Sequence, residues 1–199
     1  MKGIASLEAA TWLAVTLPVG LFAALLCLLV HDQRVVSIVP EATLRETRMP
    51  SLRWIPDGTG GRFDVPREEL QAAVLNVSSL VQREIMVGVL MTARLSLKVC
   101  GWVCRVDTVS GIVSGVERES CVARGEIPLD ATLSTALQDR TRERAGVPLG
   151  LDTPQQGYID RVLVFGVAVG GEFSSHFAGM RAMQLRAAHI SFSRSEVSL

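Results

Sequence analysis

The apolar residues of this chain are concentrated in one uninterrupted run near the amino terminus. Residues 9–30 contain no charged side chain, and Glu8 and His31 give the run sharp polar borders. At about 1.5 Å per residue a helix of this length reaches about 33 Å, enough to cross a hydrocarbon core of about 30 Å. The pattern predicts one transmembrane helix at 4–31 rather than a cleaved secretory signal, whose apolar stretch is shorter.

The segment that follows, residues 32–64, has no sustained hydrophobic period. It carries Pro40, Pro50 and Pro56, and residues 57–61 are rich in glycine. Because prolines and glycines interrupt regular structure, we expect a linker with short extended pieces here.

Residues 65–199 are predicted to form an α+β domain that begins with a helix. Asp64 is expected to cap this helix, with Pro66 in its first turn. Apolar residues then recur at steps of three or four, which predicts one buried stripe. Its members are Leu70, Val74, Val77, Val81 and Ile85. A second helix is predicted from Asp130 to Ala145, since Gly146 is a typical helix stop.

The rest of the domain has the patterns of strands. Apolar and polar residues alternate from Leu95 to Val99, which predicts a half-buried strand, and turns are expected around Gly111 and Gly115. Residues 161–169 are almost continuously apolar and predict a buried central strand, and a last strand is expected at about 185–197. The predicted fold is a single amino-terminal transmembrane helix followed by about two helices and an antiparallel sheet.

The composition and the net charge exclude some classes of function. The chain is 48% hydrophobic and 20% charged, with 20 basic and 20 acidic residues, which excludes an intrinsically disordered chain. Lys2 and Glu8 are the only charged residues before the end of the apolar run, so the remainder is neutral as well. A nucleic-acid partner is not expected without a basic surplus. We expect the chain to contact the lipid bilayer and other proteins.

The sequence lacks the usual signatures of catalysis. It has no phosphate-binding glycine loop, no His-Glu-x-x-His and no Gly-x-Ser-x-Gly element. Its three histidines, His31, His176 and His189, are far apart in the sequence. We expect no catalytic residue, no cofactor and no enzymatic activity.

The cysteines allow two interpretations. Cys27 lies in the apolar run, so Cys100, Cys104 and Cys121 can form at most one intrachain disulfide. An oxidising compartment would favour a bridge from Cys121 to Cys100 or Cys104, and three buried thiols are the alternative. A zinc site would need a fourth ligand, which no nearby histidine provides, so no metal site is expected.

The residues before the apolar run also allow two interpretations. Glu8 could complement the positive amino end of the helix, with Ser6 as its cap. Alternatively, cleavage after Gly3 would make Ile4 the new amino terminus and Glu8 the fifth residue, which resembles the processing and assembly motif of type IV pilin-like proteins. In the run itself, Pro18 is either a tolerated kink or a flexible point used when the helix packs into an assembly.

Within that class the chain resembles the TadE-like pseudopilins of tight-adherence pili. The similarity rests on Gly3 and Glu8, on the Leu-Pro-Val element around Pro18, and on Arg194-Ser195-Glu196 after a terminal strand. It covers the two ends of the chain and not the middle. The resemblance implies that a prepilin peptidase removes residues 1–3. It also implies that Glu8 pairs with a neighbouring subunit's terminal amine, and that the chain assembles with other pilin-like subunits and a pilus assembly platform.

Orientation in the membrane is a separate question. Only Lys2 and the terminal amine precede the run, whereas Arg34, Arg45 and Arg48 follow it, so the charge count does not settle the orientation and by itself allows a cytoplasmic domain. The resemblance implies the opposite, a single-pass protein of the bacterial inner membrane with an extracytoplasmic domain. Two hypotheses follow. The first is a pseudopilin-like structural subunit for assembly of a pilus or related secretion apparatus. The second is an unprocessed, membrane-anchored α+β binding module for an envelope or soluble protein partner.

Overall fold

A computed structural model describes most of the chain as one long helix, a second helix and two antiparallel sheets. The described residues are 2–56, 62–106, 113–125, 129, 133, 135, 161–173 and 184–192, of which 2–9, 62–63, 92–93, 106, 113–114, 172–173 and 184–192 are described by their backbone only. The elements are α1 (Lys2–Glu46), β1 (Arg53–Ile55), β2 (Arg62–Asp64), α2 (Arg67–Gly88), β3 (Thr92–Val106), β4 (Val113–Arg124), β5 (Arg161–Phe173) and β6 (Gln184–Phe192). The fold is α+β with one apolar amino-terminal helix, as the sequence predicts.

The first helix is longer than the sequence indicates. The prediction of a linker at 32–64 is wrong for its first half, because α1 continues without a break to Glu46. Buried positions in this part recur every fourth residue, as expected for one helix face. They are Asp32, Val36, Pro40 and Leu44. A carboxylate and a proline interrupt the apolar stripe, which is why its period is hard to detect. The predicted extended pieces exist farther on, where β1 pairs antiparallel with β2.

The main sheet has the strand order β4-β3-β5-β6, and every neighbouring pair is antiparallel. Residues 161–171 of β5 are all buried, which confirms the predicted central strand. The last strand is β6, and the predicted part beyond residue 192 lies outside the described residues. The turn expected around Gly115 is wrong: Gly115 lies in β4 and pairs with Arg105, where irregular register accommodates it.

Both faces of the sheet are covered. On one face α2 and the second half of α1 pack against alternate strand residues, and all five residues of the predicted α2 stripe are buried. On the other face a smaller core lies under Leu129 and Leu133. Of the second helix predicted at 130–145, only residues 133 and 135 are described, and both are helical.

The start of α2 differs from the prediction. Asp64 is not its cap, since Pro66 occupies the N-cap position and no side chain caps the helix. Instead the carboxylate of Asp64 accepts hydrogen bonds from both terminal nitrogens of Arg118, at 3.2 and 3.1 Å, and from the amide of Val65 at 2.8 Å. The Arg118 guanidinium also donates to the Val65 carbonyl at 2.6 Å. Asp64 therefore ties the β2–α2 connection to strand β4.

Candidate functional site at the helix–domain junction

The first half of α1 is the most exposed apolar surface that the structure describes. Within the described residues α1 is the one helix long and apolar enough to cross a membrane, and no residue of its most apolar 18-residue window is buried. Large side chains such as Trp12, Leu13 and Val19 face outward. The helix is continuous through Pro18, and in the preceding turn the Thr16 hydroxyl donates to the Trp12 carbonyl at 2.7 Å. Because exposed apolar area is unfavourable in water, this half needs lipid or protein around it.

The second half of α1 is joined to the domain through two polar residues that directly follow the apolar run. His31 Nε2–H donates to the carbonyl of Gly88 at 3.1 Å. Asp32, which is 0% exposed, accepts hydrogen bonds from the amides of Leu90 and Met91 at 2.8 and 2.9 Å. Gly88 ends α2, so its carbonyl has no partner within that helix. The pair therefore stabilises the α2–β3 turn at the point where the apolar run ends.

The two helices also approach closely at this point. A Cβ atom added to Gly88 would lie 2.8 Å from Cγ1 of Val35, which is closer than side chains pack. Glycine at residue 88 therefore allows α2 to reach α1. With the His31 and Asp32 hydrogen bonds, this contact fixes the turn against α1.

The residues of the predicted processing motif lie in α1. Gly3, Ile4 and Glu8 are helical, and their side chains are outside the described part of the structure. Because α1 begins at Lys2, Ser6 is inside the helix and Glu8 lies beyond its first turn. The interpretation of Ser6 as a cap and Glu8 as its dipole partner is therefore wrong, since that effect is confined to the first turn. Arg194 to Glu196 lie outside the described residues.

The cysteines divide into one bridge and two free thiols. Cys100 and Cys121 face each other across β3 and β4 and form a disulfide. Cys104 is free and buried, and Cys27 is free and exposed on α1. Burial, with the negative charge of Glu117 as a smaller cause, raises the pKa of Cys104 to about 12. A thiol with this pKa stays protonated at neutral pH, which is unfavourable for nucleophilic chemistry.

One group of potential metal ligands exists in the described part of the chain. Cys100, Glu119 and Cys121 have ligand atoms within 4.8 Å of one another. Both sulfurs belong to the disulfide, so neither is available as a thiolate ligand. The group is therefore better explained as a disulfide with a carboxylate beside it.

A charged cluster lies at the opposite end of β3 from the junction. Arg161, at the start of β5, is buried and donates to the Glu117 carboxylate on β4. Arg105 on β3 donates to the same carboxylate at 2.9 Å. The hydrogen bond from Arg161 is the largest cause of a lowered pKa for Glu117, and Arg105 adds to it. The cluster stabilises three adjacent strands and leaves no carboxyl in the protonated form that a general acid would need at neutral pH.

Asp32 is not recognisable in the sequence as a residue of the junction. The polar residues after residue 30 indicate only the border of the membrane span. The one available signal was a carboxylate immediately beyond a long apolar run, but its partners are 58 and 59 residues away in the sequence. Comparison of the chain with known proteins finds no family model, curated protein or solved structure that matches it.

Proposed function

We propose that the chain is a single-pass, membrane-anchored, pseudopilin-like structural subunit that takes part in assembly of a pilus or related secretion apparatus. The observation that carries the proposal is the division of α1. One 45-residue helix exposes its apolar first half and contributes its second half to the core of an α+β domain. Such a subunit can associate with others through its exposed helix while its domain stays outside the bilayer.

The junction supports anchoring over removal of the apolar run as a signal sequence. Leu29, inside the run, packs against the same core as Val36 and Leu44. Cleavage at the end of the run would remove this contact and leave His31 and Asp32 at a free chain end. A helix that is continuous across the boundary also transmits force and orientation to the domain, as a structural subunit requires.

The disulfide supports an extracytoplasmic domain in the inner membrane. Disulfides persist in oxidising compartments such as the bacterial periplasm and are rare in the reducing cytosol. The Cys100–Cys121 bridge therefore argues against the cytoplasmic orientation that the charge count alone would allow.

Glu8 supports a role in assembly. It borders the apolar run in the second turn of α1, where the helix dipole no longer explains it. A carboxylate at the edge of a membrane helix is unfavourable unless it is paired. The amine of a neighbouring subunit, exposed by cleavage between Gly3 and Ile4, is the partner that the resemblance implies.

The mature amino terminus is the most direct test. The full chain is co-expressed with a prepilin peptidase, and its terminus is read by intact-mass and peptide mass spectrometry. We expect a chain that begins at Ile4, and a Gly3→Val variant should retain residues 1–3. An unprocessed wild-type chain would contradict the proposal and favour the membrane-anchored binding module.

The role of Glu8 is tested with a matched pair of variants. Glu8→Gln removes the charge at the edge of the run, and Glu46→Gln removes an exposed charge at the other end of the same helix. We expect both variants to insert into the membrane and only Glu8→Gln to lose co-purification with pilin-like subunits. Equal recovery of subunits with both variants would contradict the pairing role.

Orientation can be measured at an exposed helix residue. Glu68 lies in the first turn of α2 and is exposed, so a Glu68→Cys variant in a Cys27→Ser background gives one accessible thiol while Cys104 stays buried. A membrane-impermeant maleimide should label it in cells with a permeabilised outer membrane but an intact inner membrane. Labelling only after lysis of the inner membrane would place the domain in the cytoplasm.

A further inference from the structure

The α2–β3 turn has a fixed height along α1. The carbonyl of Gly88 is bonded to His31, and the amides of Leu90 and Met91 are bonded to Asp32. If the hydrocarbon boundary lies at residue 30, the Asp32 level is only about 3 Å above it along the helix. The headgroup region extends about 5–7 Å beyond the hydrocarbon core on each side. The turn therefore lies at the depth of the lipid headgroups.

The side chains that this turn presents outward are apolar. Met86, Val87 and Leu90 are 59%, 79% and 65% exposed, and we call these three residues the membrane-proximal patch. Val87 lies opposite the buried stripe of α2, and Leu90 lies just beyond the end of that helix. On a surface facing only water, three adjacent exposed apolar residues would be unfavourable.

The nearby span identifies what covers the patch. Leu28 lies one helical turn before Asp32 on the face of α1 that contacts the turn, and it is only half-buried, so apolar surface continues from the span onto the turn. Arg34, one turn above His31, is also exposed and lies at a height where it can reach lipid phosphates. Apolar side chains at the same height as a basic group are typical of protein surfaces that lie in the membrane interface.

We propose that the α2–β3 turn is a second membrane contact, in which Met86, Val87 and Leu90 insert into the boundary between headgroups and acyl chains beside the span. This inference rests on the proposed anchoring by α1. The contact gives the domain a fixed orientation against the bilayer, because a single helix alone would leave it free to rotate and tilt. Its occupant is lipid of the membrane that α1 spans.

The test measures depth in a bilayer with the full chain. A Leu90→Cys variant in a Cys27→Ser background is labelled with an environment-sensitive nitrobenzoxadiazole dye and reconstituted into phosphatidylethanolamine–phosphatidylglycerol vesicles. Some vesicles carry nitroxide lipids with the quencher near the headgroup, and others carry it deep in the acyl chain. We expect a blue-shifted emission and loss of fluorescence with the shallow quencher.

Two further labelling sites separate the possible outcomes. Dye at a Glu68→Cys variant, at the exposed start of α2 and about 30 Å along that helix from Gly88, should keep its fluorescence with either quencher. Dye at a Val19→Cys variant, in the middle of the span, should be quenched by the deep nitroxide. Quenching at residue 19 without quenching at residue 90 would overturn the second contact and leave the anchor intact. Absence of quenching at residue 19 would overturn the anchor itself.

A second copy of the chain is the competing occupant of the patch. Oxidative crosslinking of the unlabelled Leu90→Cys variant in the same vesicles distinguishes the two. Covalent dimers together with unquenched dye at residue 90 would show that protein covers the patch, and would overturn the proposal. Monomers with shallow quenching would support it. Because Leu90 is exposed in the folded chain, its replacement should leave the domain folded.

Discussion

The two halves of α1 belong to one continuous helix but differ in what surrounds them. Residues 10–24 are uncharged and exposed on all sides, whereas residues 32–46 carry charges and bury one face. The buried face of the second half includes a carboxylate, Asp32, whose partners come from the α2–β3 turn. A long apolar run in the sequence therefore shows where lipid or another protein must cover the helix. Which residues are buried within the chain depends on contacts with segments that are distant in the sequence.

The largest expected effect comes from equal truncations in the two halves. Leu44 is buried in the domain core and Leu21 is exposed on the first half. Leu44→Ala should lower the free energy of unfolding by about 3 kcal/mol, since it removes packed methyl groups from a core. Leu21→Ala should leave it unchanged. Denaturant unfolding of the domain in detergent micelles, followed by tryptophan fluorescence, measures both. Similar losses from the two variants would contradict the division of α1.

The same division explains which elements could be predicted from the sequence. The stripe of α2 is regular and apolar, so its five buried residues could be read directly. Residues 162–171 of strand β5 are buried on both faces and are therefore all apolar or glycine. The second half of α1 has a helical period too, but Pro40 and Asp32 occupy two of its buried positions, and the exposed Ile38 adds an apolar residue on the wrong face.

The junction could not be predicted for a different reason. Its hydrogen bonds join His31 and Asp32 to backbone atoms of the α2–β3 turn. Because nearly every residue type carries these backbone groups, the sequence does not indicate which residues are the partners. The choice of Cys100 over Cys104 as the partner of Cys121 likewise depends on strand register, since both cysteines point to the same face of β3. The alternation of residues along a strand shows which side chains share a face, but the pairing of the strands decides which side chains are neighbours.

Removing the carboxylate at the junction tests whether Asp32 stabilises the second half. Asp32→Ala deletes two charge-assisted hydrogen bonds to the amides of Leu90 and Met91. We expect a loss of about 2 kcal/mol in the free energy of unfolding, because these amides are only partly accessible to water. Asp32→Asn keeps one acceptor oxygen and should lose less.

Hydrogen exchange gives a local readout for the same variants. The amides of Leu90 and Met91 should exchange faster in Asp32→Ala, and Glu46→Ala, which removes an exposed carboxylate from α1, serves as the control. Unchanged exchange at both amides in Asp32→Ala would contradict the role assigned to the carboxylate.

Lowering the pH should destabilise the domain but not the apolar half of α1, because the ionised carboxylates lie in the domain. The Arg161 hydrogen bond holds the pKa of Glu117 below its ordinary value of 4.5. A lowered folded-state pKa gives stability that is present above the unfolded value and lost as pH falls through the folded one. At neutral pH Glu117→Gln should cost about 1–2 kcal/mol, since it replaces the charged acceptor of the hydrogen bonds from Arg161 and Arg105 with a neutral amide.

The difference between wild type and Glu117→Gln should shrink as pH falls below 4.5. Unfolding titrations at a series of pH values measure it, and circular dichroism should detect the helix of the apolar half after the domain has unfolded. Glu119→Gln on the same strand, whose carboxylate is exposed, is the control and should show little change. A constant difference between wild type and Glu117→Gln across this range would contradict the ion-pair assignment.

The smallest effect on the free energy of unfolding is expected from glycine substitutions. Gly88 on α2 contacts the second half of α1, whereas Gly20 lies in the first half. A methyl group on Gly88 would lie 2.8 Å from Cγ1 of Val35, whereas Gly20 has no neighbour within 4 Å. Alanine favours helix over glycine, but a β-branched valine in a helix has one preferred rotamer and cannot move aside easily. Gly88→Ala should therefore destabilise the domain by about 1 kcal/mol, and Gly20→Ala should not.

Combining Gly88→Ala with Val35→Ala should remove most of the penalty of the glycine change, because the colliding methyl groups are then absent. Equal penalties for Gly88→Ala with and without the Val35→Ala change, measured as a double-mutant cycle, would show that the close approach of α2 to α1 does not decide the stability of the junction.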